Sequence, residues 1–295
     1  MQKITFIVNP ISGDKDKSAV LSTICRHLDI GRFAPEFLIT EKAGDATAFA
    51  RESRSEIVVA VGGDGTVNEV ARGLIGTTKA LGIIPCGSGD GLALHLGISR
   101  DIRLAVKAIN QACRIPIDVA EINGRPFFCT TGFGLDAAVS LEFARSSRRG
   151  LSQYIALAWE EWKNYPCDHY KITTEEGVIW SGKAVLVTVA NADQWGNHAR
   201  IAPMASLQDG LLDLIIVGPF STLEIPDLAL RLMAGKAQTS RHYLHFSAPS
   251  FHIHRKSSGG VHFDGEPSEG GRDFDISVRQ AALQAIVPSS KISKI

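Results

Sequence analysis

Four short stretches hold residues whose types and spacing suit chemistry on a phosphate group. The first is Gly62-Gly63-Asp64-Gly65-Thr66-Val67-Asn68. The β-branched run Val58–Val61 precedes it, and Val67, Val70, Ala71 and Leu74 recur after it at helical spacing. That pattern predicts a buried strand, a tight turn and a helix start. Glycines let backbone N–H groups approach an anion unobstructed. The new helix adds its positive end, worth about 0.3–1 kcal/mol per nearby charge. A carboxylate repels phosphate, so Asp64 is expected to face a metal ion or a hydroxyl proton. The second stretch, Asn9-Pro10-Ile11-Ser12-Gly13, reads either as a phosphate turn with Asn9 and Ser12 as donors or as a plain Asn-Pro turn. The third is Cys86-Gly87-Ser88-Gly89-Asp90-Gly91, a second glycine-rich turn. The fourth, Asp264-Gly265-Glu266, is either a pair of working acids or a hairpin turn.

The elements that must position these residues follow from the pattern around them. Ile4–Val8, Glu36–Thr40, Ile57–Val61 and Ala80–Pro85 read as strands alternating with helices, which predicts a mostly parallel sheet covered on both faces. Asp45 is the expected cap of the helix after the second strand. Ligands of such sheets lie outside the carboxyl ends of the strands, so the turns at Asn9–Gly13, Thr40, Gly62–Asn68 and Gly87–Gly91 are expected to converge there. Near residue 115 the character changes to short strands with turn residues between them: Phe127–Thr131, Tyr170–Thr174, Lys183–Asn191, Leu211–Val217, Tyr243–Ser247, Ser250–His254, Val261–Asp264 and Phe274–Val278. This predicts an antiparallel, all-β sandwich-like second domain. The expected division is 1–120, rejoined by 281–295, against 121–280, with the catalytic cleft between them. Leu283–Val287 is read as a last strand returning to the first domain. One helix, Leu151–Asn164, is expected to interrupt the second.

With 295 residues, 31 Lys+Arg and 31 Asp+Glu, the chain has no net charge. That argues against a dedicated nucleic-acid binder. Five cysteines at unrelated spacings suggest reduced core residues rather than a zinc or redox motif. No signal-peptide layout and no apolar run of ~18 residues stand out, so a cytoplasmic chain with peripheral membrane contact at most is expected.

Together, Asn9-Pro10 with Ser12-Gly13, Gly62-Gly63-Asp64-Gly65-Thr66 with Asn68-Glu69, Ser206-Leu207-Gln208-Asp209-Gly210-Leu211-Leu212-Asp213, and Phe263-Asp264-Gly265-Glu266-Pro267 resemble the diacylglycerol kinase-like lipid kinases. That group includes bacterial lipid kinases and sphingosine and ceramide kinases. The resemblance runs in order along nearly the whole chain. It implies transfer of the γ-phosphate of ATP to a lipid hydroxyl, diacylglycerol first and a sphingoid base or other lipid alcohol second. It implies that Asn9, Ser12, Thr40, Gly62, Gly63, Asp64, Gly65, Thr66, Val67, Asn68 and Ser88 hold ATP. It makes Glu266 the first choice of proton acceptor, Asp264 the second and Asp64 the third. It further implies a Mg2+ held by the Ser206 carbonyl, Asp209 and the Leu211 carbonyl, with Asp118 near that network.

At the second glycine turn the chain is closer to the Gly-Ser-Gly-Asn form of sphingosine and ceramide kinases than to the commoner bacterial sequence, with Asp90 in the Asn place. A soluble NAD kinase would share Gly62–Thr66 but not the first or last motif, and a regulator without turnover would have no use for intact Asp64, Asp264 and Glu266. A lipid acceptor implies contact with a membrane surface. Arg145-Ser146-Ser147-Arg148-Arg149, with Trp159 and Trp162 on the following helix, is one candidate for it. Trp195 is equally suited to a lipid entrance or to capping the sandwich. A homodimer is compatible with exposed sheet edges, but the sequence gives it no interface.

Overall fold

The computed structural model describes residues 1–13, 15–145 and 167–292, with single positions at 157, 160, 161 and 165. Those single positions apart, the expected helix Leu151–Asn164, with Trp159 and Trp162, and the basic residues Arg148 and Arg149 fall outside the described residues. The chain forms two units, Met1–Ile117 with Ala281–Ile295, and Asp118–Gln280.

In the first unit the elements run β1 (Gln2–Val8), α1 (Lys17–His27), β2 (Phe33–Ile39), α2 (Asp45–Glu52), β3 (Ile57–Gly62), α3 (Asp64–Leu74), β4 (Ala80–Pro85), α4 (Gly91–His95) and α5 (Ile102–Gln111). The strands are parallel in the order β2-β1-β3-β4. All six residues of β3 are buried, as a central strand covered on both faces requires. Strand order reverses direction at β1, between β2 and β3, and this is where doubly wound sheets open a crevice at their carboxyl ends. Gly44, not Asp45, is the N-cap of α2. The Asp45 carboxylate instead accepts the N–H groups of Glu41 and Lys42, which hold it below the ordinary carboxylate range.

β5 (Cys113–Ile122) leads into the second unit. There follow β6 (Arg125–Phe127), β7 (Thr130–Gly134), α6 (Leu135–Arg145), β8 (Asp168–Thr174), β9 (Gly177–Ala184), β10 (Leu186–Ala190), β11 (Leu212–Val217), a helix over Ile225–Met233, β12 (Tyr243–Ala248), β13 (Ser250–Arg255), β14 (Gly259–Phe263), β15 (Glu266–Gly270) and β16 (Asp273–Val287). One antiparallel sheet has the order β12-β11-β10-β7-β14-β15. The other face is built by β16, β13, β8 and β9, also antiparallel. Phe133, Val187, Leu214 and Phe263 of the first sheet share one buried core with Tyr170, Ile172, Phe251, Ile253 and Phe274 of the second. This is the expected sandwich.

The segments read as two strands, Phe274–Val278 and Leu283–Val287, are one strand. Its end runs parallel to β4, pairing Gln284 with Ala80 and Ala285 with Leu81, and so completes the first unit. Trp195 packs against the buried cluster of Ala190, Ile201, Ala202, Ala205 and Ile215. All five cysteines are free thiols. Among the described residues, no helix is long and apolar enough to cross a membrane.

Candidate active site

Because β1, β2 and β3 are parallel, the turns that follow them open at one edge of the sheet, and a cavity of about 320 Å3 lies there. Asn9, Ser12, Thr40, Gly63, Gly65 and Thr66 line it, together with Lys42, Glu41 and Glu69. α3 begins at its wall, with Gly63 as N-cap. A methyl group built on Gly65 would meet nothing within 4 Å, so the backbone of the first helical turn is open on that side. A helix start with room beside it is the arrangement that anion binding requires.

The side chains expected to donate to phosphate are arranged differently. The Asn9 amide donates to Thr66 Oγ1 at 3.1 Å, and its carbonyl oxygen accepts the Ile11 N–H. The Ser12 hydroxyl donates to the Asn9 carbonyl and the Thr40 hydroxyl to the Val8 carbonyl. These bonds shape the loops around the cavity that the same residues line, with Lys42 beside them. Gly62 accommodates Thr66, whose Oγ1 would lie 2.4 Å from a Cβ there. Val67 and Asn68 are buried along α3.

Asp64 does not face the cavity. Its two oxygens accept the N–H groups of Asp90 and Gly91, both at 2.8 Å, and so fasten the second glycine turn at the start of α4. Burial pushes its carboxyl above the ordinary range, against those two N–H donors and Arg100. Besides the expected metal ion or hydroxyl proton, Asp64 has a structural task that its sequence neighbourhood does not announce: it holds the N–H groups of the second glycine turn. Asp90 accepts the Gly87 N–H at 2.9 Å and pairs with Arg100 at 3.1 Å. Arg100 also donates to the carbonyls of Ser88 and Gly89, whereas the Ser88 side chain is exposed.

Burial, followed by the neighbouring Asp64 charge, raises the Asp90 carboxyl to about 6. Folded chain therefore keeps a proton that unfolded chain loses near the ordinary value of 3.8. Its contribution to stability is complete below that value and is lost as pH rises toward 6. Asp90→Asn removes this dependence. The melting temperature of the variant relative to the parent should rise between pH 4.5 and 7, and a constant difference across that range would contradict the assignment.

In the second unit Asp264-Gly265 is a two-residue hairpin turn between β14 and β15, with φ of 51° and 82°. Both residues lie in the left-handed region that such a turn demands. The Asp264 side chain turns inward and accepts the N–H groups of Phe128, Cys129 and Thr130 at 2.9, 2.6 and 3.0 Å. Burial pushes this carboxyl up, while the three donors favour its ionised form. Glu266, two residues on, has a side chain 66% exposed. Arg125 holds it at 2.8 Å, with the guanidinium lying 3.8 Å from the Phe263 ring centroid. Of the two acids in this turn, Asp264 fixes the turn and Glu266 is presented to solvent.

The loop 206–211 folds around Asp118. Asp118 N–H donates to the Leu207 carbonyl, and its carboxylate accepts the Gly210 N–H at 2.8 Å. Asp209 is exposed, with one oxygen on the Leu211 N–H. Among the described residues no group of three or more His, Cys, Asp or Glu side chains is placed to hold a metal ion. The set of Ser206 carbonyl, Asp209 and Leu211 carbonyl is all oxygen with a single carboxylate, which fits a hard cation that keeps much of its water and no softer metal.

Sequence reasoning passed over Lys42, Arg100 and Arg125, and finds in His262 no metal-ligand spacing. Only Lys42 carried a signal, two residues beyond Thr40 at the carboxyl end of β2.

Residues 3–122 match the diacylglycerol kinase catalytic domain, and residues 129–287 match the YegS C-terminal NAD kinase beta sandwich-like domain. A diacylglycerol kinase of Bacillus subtilis is 27% identical over 275 residues, covering 90% of each chain. A protein of Klebsiella pneumoniae named "Probable lipid kinase YegS-like" is 30% identical over 265 residues, covering 85% of each. A crystal structure of a diacylglycerol kinase from Bacillus anthracis superposes with a TM-score of 0.74 at 25% identity over 98% of both chains. An NAD kinase of Archaeoglobus fulgidus shares the fold alone, with a TM-score of 0.55 at 10% identity. The two domain matches and these relatives define the class as a kinase. The chain belongs to the diacylglycerol kinase-like lipid kinases, a family whose phosphoryl donor is ATP.

Proposed function

We propose that this kinase transfers the γ-phosphate of ATP to the hydroxyl of a neutral lipid, diacylglycerol first, in a Mg2+-dependent reaction at a membrane surface. The observation that carries the reading is the division of labour among the three acids. Asp64 and Asp264 accept backbone N–H groups, whereas Glu266, exposed and paired with Arg125, can meet an acceptor hydroxyl. In this reading the N–H groups at the start of α3, with Lys42, bind the phosphates. Asp64 shapes the second glycine turn, and Asp264 and Arg125 fix where Glu266 stands. Phosphoryl transfer asks for this positioning and charge neutralisation more than for covalent chemistry.

The Ser206 carbonyl, Asp209 and the Leu211 carbonyl would hold Mg2+. When bound there, the ion supplies a fixed positive charge to a loop already tied to Asp118. Asp209→Ala removes the one side-chain ligand. The parent should gain melting temperature and activity from Mg2+, and the variant should lose most of the thermal gain. Identical responses of the two proteins to Mg2+ would remove this site.

A second reading, a sphingoid base or other lipid alcohol, rests on Gly87-Ser88-Gly89-Asp90, where Ser88 is exposed. The deciding experiment offers diacylglycerol, a sphingoid base, ceramide and phosphatidylglycerol at equal surface concentration in mixed micelles, with NAD in a parallel aqueous reaction. Diacylglycerol should be phosphorylated fastest. Preference for the sphingoid base would select the second reading, and label on NAD would overturn both.

A further inference from the structure

Beneath the Asp264-Gly265 turn lies a buried polar group that the reaction outlined above does not use. His262, on β14, and Asp136, on α6, have side chains only 1% exposed. His262 Nε2 stands 2.8 Å from Asp136 Oδ2, though its N–H is not squarely aimed at that oxygen. Thr188 on β10 donates to the same oxygen at 2.7 Å. The opposite ring nitrogen, Nδ1, accepts the N–H of Gly265 at 3.2 Å. An imidazole that accepts at Nδ1 carries its proton at Nε2, beside the Asp136 carboxylate. The β7 backbone leaves room for the group because residue 132 is glycine: a Cβ there would lie 2.1 Å from Asp136 Oδ2 and 2.6 Å from His262 Nε2.

The turn is therefore held at two points. Asp264 ties its first residue to the N–H groups of residues 128–130, and His262 ties the N–H of its second. Glu266 follows directly. We propose that His262 is a positioning residue for Glu266: its Nδ1, kept as an acceptor by the Nε2 proton beside Asp136, fixes the Gly265 N–H and with it the place of the Glu266 carboxylate. The proposal rests on the reading of Glu266 as proton acceptor.

Two amide substitutions separate this role from simple packing. Asn places its oxygen near the position of Nδ1 and keeps the acceptor for Gly265. Gln places its amide near Nε2, keeps a donor for Asp136 and loses that acceptor. Each removes one of the two ring contacts, so a merely structural residue would give similar losses in both. The positioning role predicts that His262→Gln loses at least about tenfold in kcat with KM for ATP unchanged, whereas His262→Asn stays within about threefold, at similar melting temperatures. Equal kcat in the two variants, or kcat that follows melting temperature, would overturn it.

Amide exchange at Gly265 gives a readout independent of any lipid. Exchange should be at least about tenfold faster in His262→Gln than in His262→Asn. Equal exchange would overturn the proposal whether or not a lipid is phosphorylated. A parent that labels no lipid while showing the exchange difference would count against the Glu266 reading and leave the His262 strap established.

Discussion

Glu266→Gln lowers lipid phosphorylation by about 10²- to 10⁴-fold, the usual worth of a positioned general base. The affinity for ATP changes by no more than about threefold, because the residue removed is not among those that line the anion cavity. The substitution keeps size and hydrogen-bonding reach and removes only the capacity to take up a proton at neutral pH. Asp264→Asn should behave differently. Its carboxylate accepts three N–H groups, and an amide nitrogen cannot accept any of them. That variant should lose melting temperature as well as rate. Measured side by side, loss of rate alone marks Glu266 as the reacting carboxylate, and loss of both marks Asp264 as the residue that builds the turn. A Glu266→Gln variant with near-parental turnover would remove Glu266 from the chemistry.

Gly13→Ala is expected to be the most damaging single-methyl change in the first unit. Gly13 has φ of 64°, and its Cβ would sit 1.7 Å from the Cys86 carbonyl oxygen. The backbone conformation alone costs an L-residue about 1–2 kcal/mol. The overlap is with backbone and cannot be relieved by a side-chain rotation, so a total above about 4 kcal/mol is expected, in the range that marks a named structural fault. The turns after β1 and β4 must then separate. The turn after β3 follows, since Gly63 and Gly87 approach so closely that a Cβ on Gly87 would lie 2.7 Å from Gly63 Cα. ATP affinity should drop at least tenfold, a loss of about 1.4 kcal/mol. Gly265→Ala is the control: φ is 82° but nothing lies within 4 Å of its Cβ, so only the conformational cost remains. Comparable melting temperatures for the two variants would contradict this account of the glycine turns.

These two cases show what was legible in the chain before its fold was known. The apolar run into Gly62 and the helical spacing after Thr66 located the strand and helix start beside the cavity, because burial of a central parallel strand and the start of a helix both leave periodic signals. The partners of the acids left no such signal. Asp64 reaches N–H groups 26 and 27 residues away, and Asp264 reaches residues 134 to 136 positions earlier. Contacts of that range belong to tertiary structure, so the glycines and acids read as ligand-facing proved to include several that join loop to loop.

The same limit explains the strands. β15 went unread because Glu266-Pro267-Ser268-Glu269-Gly270 lacks alternation and contains a proline, which an edge strand tolerates. β16 was read as two strands because Arg279 and Gln280 interrupt its apolar pattern, next to Ala281 at φ of 51°. The alternative reading of Asp264-Gly265 as a hairpin turn and the reading of Glu266 as an acid at the site are compatible, since the turn is what presents the glutamate.

The most direct test is transfer of labelled γ-phosphate from ATP into the organic phase, with diacylglycerol in mixed micelles, Mg2+ present, and the parent beside Glu266→Gln. Label in phosphatidic acid with the parent, almost all of it lost in the variant while ATP still binds, is the predicted result. A parent that binds ATP and labels no lipid, or a variant that labels diacylglycerol as fast as the parent, would contradict the assignment of Glu266 as the base of a lipid kinase.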